Sequence, residues 1–486
     1  MINRDEIVSA IAREVVARLQ QHLAGSAGPQ PAAAPQVSRT AAGDGVFATV
    51  ADAVRAAAAA QPKVAAMSLE DRGRMIAIIR RICCEQAEAL GRMEMEETKI
   101  GRLDHKIAKL KAMRHVVGVE QMERIQARSD AAGLCVIERA PWGVIGMVLP
   151  ATHSVPTMVS NAINVLAAGN TAVFNPHPAG ARVAAHALQL FNREIARSLG
   201  VGNVITTIAE PNIETAGQIF SHPDVALICV TGGPAVVKAA MLAGKRVIAA
   251  GPGNPPVVVD ETADLDAAAR AIFAGAAFDN NLLCVGEKEI FVVASVADAF
   301  KRALKAAGAY ELDKAAIDRL TKSAFTFESG GKGCARAHVK KDLVGQDAAV
   351  LARAAGVQAP AAVELLFGET DENHPFVQEE QMMPFVPVIR VPDVDAAIAA
   401  AVRAEHGYRH TAMIHSQKLE NVTKMARAMN TTLFVHNAPS TGSLGVDGPG
   451  YFSHTIATPT GEGITTPLTF TRERQIALGG GALRII

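Results

Sequence analysis

The sequence predicts an α/β fold in which helices cover doubly wound parallel sheets, arranged as two α/β domains with one cysteine, Cys284, near their junction. Three observations carry this prediction. Apolar runs of four to six residues alternate with helical segments on both sides of the cysteine, alanine and valine dominate the apolar residues, and residues 140–181 contain no Asp, Glu, Lys or Arg. Strands buried on both faces read as near-continuous apolar runs, the pattern of parallel sheets.

Residues 3–23 predict one amphipathic helix. Asn3 and Glu6 suit a capping box, and Ile7, Ile11, Val15, Leu19 and Leu23 recur every four residues on one stripe. Asp5, Glu6 and Glu14 leave no continuous apolar run there, so a secretory signal is not expected. Residues 25–45, rich in Gly, Pro, Ala and Ser, read as a flexible linker. A helix on such a tether is expected to dock its stripe on a partner; the alternative is that it folds back onto its own protein.

From 46 to 126 the pattern is helical, and Lys99, Arg102, Lys106 and Lys109 read as one solvated helical face, the alternative being a phosphate-binding patch. The uncharged stretch 140–181 is no membrane span, because Pro141, Pro150, Pro156, Asn161, Asn164 and Asn170 interrupt it; it is expected to lie deep in the protein. Strands are predicted at 144–149, 171–174, 203–208, 225–230 and 256–259, and a second set at 289–293, 386–391, 411–415 and 432–435.

Two segments carry candidate chemistry. V-T-G-G-P-A-V-V-K-A-A (230–240) leaves a strand, turns on Gly232 and Gly233, and enters a helix with Pro234 near its first position, where backbone N–H groups can receive a pyrophosphate. Many such turns bind nothing. G-P-G-N-P-P (251–256) only superficially opens like a dinucleotide fingerprint, since Pro256 stands at its last glycine position. In F-D-N-N-L-L-C-V-G-E-K (278–288), Cys284 reads as a buried small hydrophobe or as a nucleophile. Metal ligation fits worst, because no His or Cys lies at ligand spacing.

Composition narrows the function. Lys plus Arg and Asp plus Glu both number 48, which gives no electrostatic case for nucleic acid or a membrane surface. Aromatic residues make up only 4%, too few for base-stacking platforms. Six cysteines in 486 residues do not form a disulfide framework and suit a reducing setting.

V-I-G-M-V-L-P (144–150), L-A-A-G-N-T-A-V-F-N-P (166–176), V-T-G-G (230–233), the cysteine loop and E-E-Q-M-M-P-F-V-P-V (379–388) follow in the order found in aldehyde dehydrogenases. A-G-P-G-N-P-P-V-V-V-D-E-T-A-D-L (250–265) and I-A-T-P-T-G-E-G-I-T-T (456–466) more closely resemble the CoA-acylating branch, with the propionaldehyde and acetaldehyde dehydrogenases of bacterial microcompartments as nearest relatives. The resemblance spans roughly 46 to 475. It implies a Rossmann-like nucleotide domain, an α/β catalytic domain and an oligomerisation arm. The corresponding boundaries are a targeting helix at 1–24, a linker at 25–45, an NAD- and CoA-binding domain at 46–252 with an arm strand near 130–140, a catalytic domain at 253–440, and a C-terminal return and oligomerisation segment at 441–486.

By this resemblance Cys284 is the nucleophile that forms a thiohemiacetal and then a thioester, with Thr152 or His153 completing an oxyanion hole begun by the Cys284 N–H. A packed, structural histidine is the alternative for His153. Pro150, Asn175, Pro176, His177, Thr231, Gly232, Gly233, Ala250, Gly251 and Glu380 are the implied cofactor contacts, with Glu380 on the nicotinamide ribose; its alternative is a surface carboxylate beside Glu379. Hydrolytic relatives carry a general-base glutamate where Ala249-Ala250-Gly251-Pro252 stands here, so no carboxylate activates water at that point. Lys and Glu of those relatives are replaced by Asn175 and Pro178, which implies a looser adenine pocket shared in turn by NAD and CoA. The implied activity is oxidation of a short-chain aldehyde with NAD+ and CoA to acyl-CoA. The alternatives are a hydrolytic dehydrogenase releasing the free acid, and a non-catalytic shell-associated protein. The resemblance further implies a homodimer or tetramer in a microcompartment lumen, directed to the shell by the N-terminal helix.

Overall fold

The uncharged stretch forms the centre of the molecule. In the computed structural model, which describes residues 43–123, 125–328, 336–446 and 448–481, a first sheet has six parallel strands. Their order is Val46–Phe47, Ile205–Ile208, Thr171–Pro176, Val144–Leu149, Val225–Thr231 and Arg246–Ala250. Val144–Leu149 and Thr171–Pro176 are buried at every residue. The helix between them, Ser154–Ala167, is also buried all round, because it packs on the sheet, on the helices Leu69–Glu85 and Ala181–Leu199, and on the Pro467–Phe470 turn. A charge in such a helix would be desolvated without a partner, which is why the stretch has none.

The chain builds this sheet outward from Val144–Leu149 in one direction, then returns to its other side with Val225–Thr231. The topology therefore switches between these two strands, the place where doubly wound sheets bind ligands beyond their carboxyl ends. Pro150 to His153 leave one strand there, and Thr231 to Gly233 leave the other.

The second sheet has seven parallel strands in the order Tyr310–Glu311, Leu366–Glu369, Phe385–Val391, Glu289–Val293, Pro256–Val259, Thr411–His415 and Leu433–His436. Its amino ends lie towards the cysteine loop: Gly253, Lys288, Gln381 and His410 all precede strands of this sheet. The carboxyl edge of one sheet thus meets the amino edge of the other. A third, antiparallel sheet joins Gln126–Asp130, Gly133–Pro141 and Thr471–Leu478. Its first strand is exposed throughout and its last from Arg472 onward.

Several expectations change. The 256–259 strand belongs to the second sheet, between Glu289–Val293 and Thr411–His415, not to the set that precedes the cysteine. The 203–208 strand starts at Ile205, after Asn203 takes a left-handed turn at φ 57°. Arg246–Ala250, Tyr310–Glu311 and Leu366–Glu369 are additional strands, short and with weak apolar runs. The proposed lysine face is not one face and is not solvated. Lys99 ends the helix Ala87–Thr98, whereas Lys106 and Lys109 lie on Leu103–Ala112 and are 0% and 3% exposed. The 3–23 helix and the linker up to residue 42 lie outside the described residues.

Candidate active site

The F-D-N-N approach to Cys284 has a backbone reason. Asp279, Asn280 and Asn281 are consecutively left-handed, with φ of 50°, 55° and 61°. Asp and Asn tolerate this region best among residues with a Cβ. Each side chain then ties the turn down. The Asp279 carboxylate pairs with Lys109 and accepts the Arg102 N–H at 2.9 Å. Asn280 donates to the Gly345 carbonyl and to Asp347, both at 2.9 Å, and Asn281 donates to the Glu287 carbonyl at 2.9 Å. The loop closes with Gly286 N–H on the Leu283 carbonyl at 3.0 Å.

Cys284 emerges from this turn half-buried. Burial pushes its thiol up to about 12, and the Glu380 carboxylate adds to the rise; Lys288 and the N–H groups of Cys284 and Val285 act in the opposite direction. Glu380 is likewise raised to about 7 by burial, against the pull of Lys288 and the Gly253 N–H. The structure therefore brings Cys284 and Glu380 into one electrostatic environment, and Glu380 is not a surface carboxylate.

A buried polar cluster supports the loop from behind. It contains Glu94, Lys106, Lys109, His153, Asp279 and His454. Burial raises the Glu94 carboxyl and lowers Lys106. Burial opposes the Asp279 charge, yet Lys109 and Lys106 hold its carboxyl below the usual range. His153 Nδ1 lies 2.9 Å from the Lys109 ammonium, and the ring also meets the Leu282 carbonyl. Burial, Lys109 and His454 together keep His153 neutral. Both sides of its ring are thus engaged by the protein, whereas Thr152 is only half-buried.

The crevice residues separate into two groups. Thr231 Oγ1 lies 2.8 Å from Thr455 Oγ1, which donates to Asn161 at 3.1 Å, so the end of that strand is tied to the buried helix. Gly233 caps the helix Pro234–Met241, with Pro234 in its first turn, and a Cβ on Gly233 would meet nothing within 4 Å. That open backbone at a helix N-terminus fits a pyrophosphate. Ala250 is buried, and Gly251 packs against Pro459, which a Cβ would approach to 2.8 Å. Asn175, Pro176 and His177 stand one strand further out. The Asn175 amide is used internally: it donates to the Asn212 carbonyl at 3.2 Å and accepts from Thr215 at 2.6 Å. His177 is exposed and accepts the Ala179 N–H at 3.1 Å.

Three features escaped the sequence. Lys288 is 0% exposed at the end of the cysteine loop. The Lys109–Asp279 pair joins residues 170 apart. His410 is 1% exposed, kept neutral by burial with a pKa lowered to about 4, and its Nε2 has no hydrogen-bond partner among the described residues. A Cβ on Gly253 would sit 2.8 Å from both the Cys284 carbonyl and the His410 ring, so these three groups are in close contact. The apolar run T-A-M-I-H following His410 was a signal that its neighbour enters the core. No cluster of three or more metal-ligating side chains occurs among the described residues.

A thiol held between the ends of two parallel sheets, beside a topological switch point, defines an α/β enzyme with a cysteine between its sheets. The chain belongs to the aldehyde dehydrogenase family, which it matches over residues 30–450. It is 44% identical over 438 residues to the acetaldehyde dehydrogenase (acetylating) of Bilophila wadsworthia, covering 89% of each chain. The Rhodopseudomonas palustris propionaldehyde dehydrogenase, solved with bound CoA and an acylated cysteine, is 42% identical with a TM-score of 0.87, covering 92% of this chain and all of the other. The propionaldehyde dehydrogenase of a Clostridium phytofermentans fucose utilisation microcompartment is 39% identical with a TM-score of 0.86, covering 91% of this chain and all of the other.

Proposed function

We propose that this protein oxidises a short-chain aldehyde, propionaldehyde or acetaldehyde, with NAD+ and CoA to acyl-CoA, NADH and a proton. The observation that carries the reading is Cys284 in the cleft, with Ala249-Ala250-Gly251-Pro252 where hydrolytic members place a water-activating glutamate. The similarity to relatives named as acylating supports it.

Cys284 adds through sulfur to the aldehyde carbon, and the charge gathered on oxygen faces the Cys284 N–H. Thr152 supplies the second donor, since His153 is held in the buried cluster. Bound NAD+ supplies the acceptor for the hydride that leaves the thiohemiacetal carbon. The thioester left on Cys284 resists water, which nothing at 249–252 activates, but yields to a thiol, which ionises far more readily. His410, neutral and with Nε2 unengaged among the described residues, takes the CoA thiol proton in this reading. Gly232, Gly233 and Thr231 hold the pyrophosphate and Glu380 the nicotinamide ribose. Because the Asn175 amide is engaged by Asn212 and Thr215 at the start of a neighbouring helix rather than gripping a ribose, the adenine site admits NAD+ and CoA in turn.

The nucleotide domain covers 46–252, the catalytic domain 253–440 and the return segment 441–486. The exposed arm sheet pairs subunits in a dimer or tetramer. Residues 1–24 on the 25–45 tether direct the enzyme into a microcompartment lumen.

The test is NADH formation from propionaldehyde with and without CoA, with the acyl product identified. Turnover sustained only with CoA, yielding propionyl-CoA, is the expected outcome. Equal turnover to propionate without CoA would sink the acylating assignment.

A further inference from the structure

Lys288 is a buried cation with no carboxylate within hydrogen-bonding distance among the described residues. Its three ammonium donors are taken instead by the cysteine loop: the Asn281 carbonyl at 2.7 Å, the Asn281 side-chain oxygen, and the Leu283 carbonyl at 3.1 Å. An ammonium has three donors and no acceptor, so this set saturates it. Burying such a charge costs several kcal/mol unless it is fully hydrogen-bonded, and neutral methionine or leucine would fill the volume without that cost. The charge therefore does something a core residue does not.

Its effect follows from peptide geometry. The Leu283 carbonyl also receives the Gly286 N–H at 3.0 Å, so two donors hold it on the inner side of the loop. The Leu283–Cys284 peptide is trans, hence its C=O and N–H point in opposite directions. Pulling the carbonyl inward turns the Cys284 N–H outward, to the side of its own sulfur, where it and the Val285 N–H interact with the thiol. We propose that Lys288 is a positioning residue for the reaction at Cys284: its ammonium holds the Leu283–Cys284 peptide so that the Cys284 N–H faces the developing oxyanion, and it sets the positive field in which the thiolate forms. This deepens the proposed function and rests on Cys284 as its nucleophile.

The groups facing Lys288 agree with that role. Burial lowers its pKa to about 8, while Glu380, Cys284, Glu289 and Glu287 each favour its charged form. Its field in turn opposes the Glu380 and Cys284 rises and helps keep His410 neutral. Glu289 and Glu287 are themselves raised by burial, Glu287 to about 7, so Lys288 is not neutralised by a committed carboxylate partner.

The experiment uses the full chain with Lys288→Met, Lys288→Gln and Cys284→Ala. Iodoacetamide labelling of Cys284 is followed by peptide mass spectrometry across pH, alongside kcat and KM for propionaldehyde with CoA. Lys288→Met is expected to move the labelling midpoint to higher pH and to lower kcat about 100-fold, the scale of losing one oxyanion donor, with KM changed less than about threefold. A merely structural lysine would not shift the labelling profile of a variant that remains folded. A folded Lys288→Met with unchanged kcat and labelling profile would overturn the proposal. Lys288→Gln, which keeps an uncharged donor near the loop carbonyls, carries the same test and the same two outcomes if the methionine variant aggregates. Activity in Cys284→Ala would instead overturn the nucleophile assignment, which separates the two failures.

Discussion

Glu287 shows how the residues around Cys284 couple chemistry to stability. Its carboxylate accepts the Ser440 N–H at 2.8 Å and hydroxyl at 2.9 Å, and it lies against Gly275, so it ties the loop to two other segments. Burial raises its pKa to about 7, above the ordinary 4.5. The folded state then binds more protons than the unfolded state between those values, so its contribution is full below 4.5 and is lost as pH rises through 7. Glu287→Gln has no such dependence. The melting temperature of the wild type relative to Glu287→Gln should accordingly fall between pH 5 and pH 8; a constant difference would mean that Glu287 carries its charge in the folded state throughout. His410, His415 and His454, lowered to about 4, 4 and 3 by burial, work with the opposite sign. Their stabilising neutrality is lost as pH falls below the unfolded histidine value, so the variant comparison isolates Glu287 where the total pH curve would not.

At the scale of elements, the cysteine loop is a short segment held from both ends by buried lysines: Lys109 at Asp279 and Lys288 at Asn281 and Leu283. Removing one member of a buried pair such as Lys109–Asp279 typically costs 3–5 kcal/mol, roughly, because the other charge is left without its partner. The Gly253 segment passes between the loop and the strand that follows His410. Its backbone φ is not positive, so the glycine is required by space rather than by conformation. Gly253→Ala would place a methyl 2.8 Å from the Cys284 carbonyl and the His410 ring. Since a displacement of about 1 Å at a reacting group can cost on the order of 100-fold, this variant should keep its circular dichroism spectrum while kcat falls by roughly 10- to 100-fold. Wild-type turnover would show that the cleft absorbs the methyl without moving either group.

At the scale of the whole molecule, the proposed catalysis sits where the carboxyl ends of one parallel sheet face the amino ends of the other. In that proposal the carboxyl ends of the first sheet take the dinucleotide, and the amino ends of the second present the Cys284 thiol. The N-terminal segment is proposed to act in targeting rather than in turnover. Deleting residues 1–45 should leave CoA-dependent turnover within about twofold, because no cleft residue is removed, but should abolish recovery of the enzyme with purified shells. Undiminished recovery with shells would assign targeting to another surface.

Much of this architecture was legible in the sequence, and the reasons are local. The runs at 144–149, 289–293 and 411–415 became strands with the same limits, because strands buried on both faces are built mainly from apolar residues. The absence of charge from 140 to 181 marked the centre of the molecule, and the glycines before Pro234 marked a helix start. The Asp and Asn residues before Cys284 suit their place as well, since three successive left-handed residues favour Asp and Asn. Tertiary structure alone decided which charges are buried. Lys106 and Lys109 looked like a solvated face, and nothing local marked Lys288, because a lysine carries the same local signature in water as in a core. What distinguishes them is contact with segments far away along the chain: Asp279 stands 170 residues from Lys109, and His153 is 44 residues from it. Burial of a charge is settled by the partners that compensate it, and only the folded chain brings those partners together.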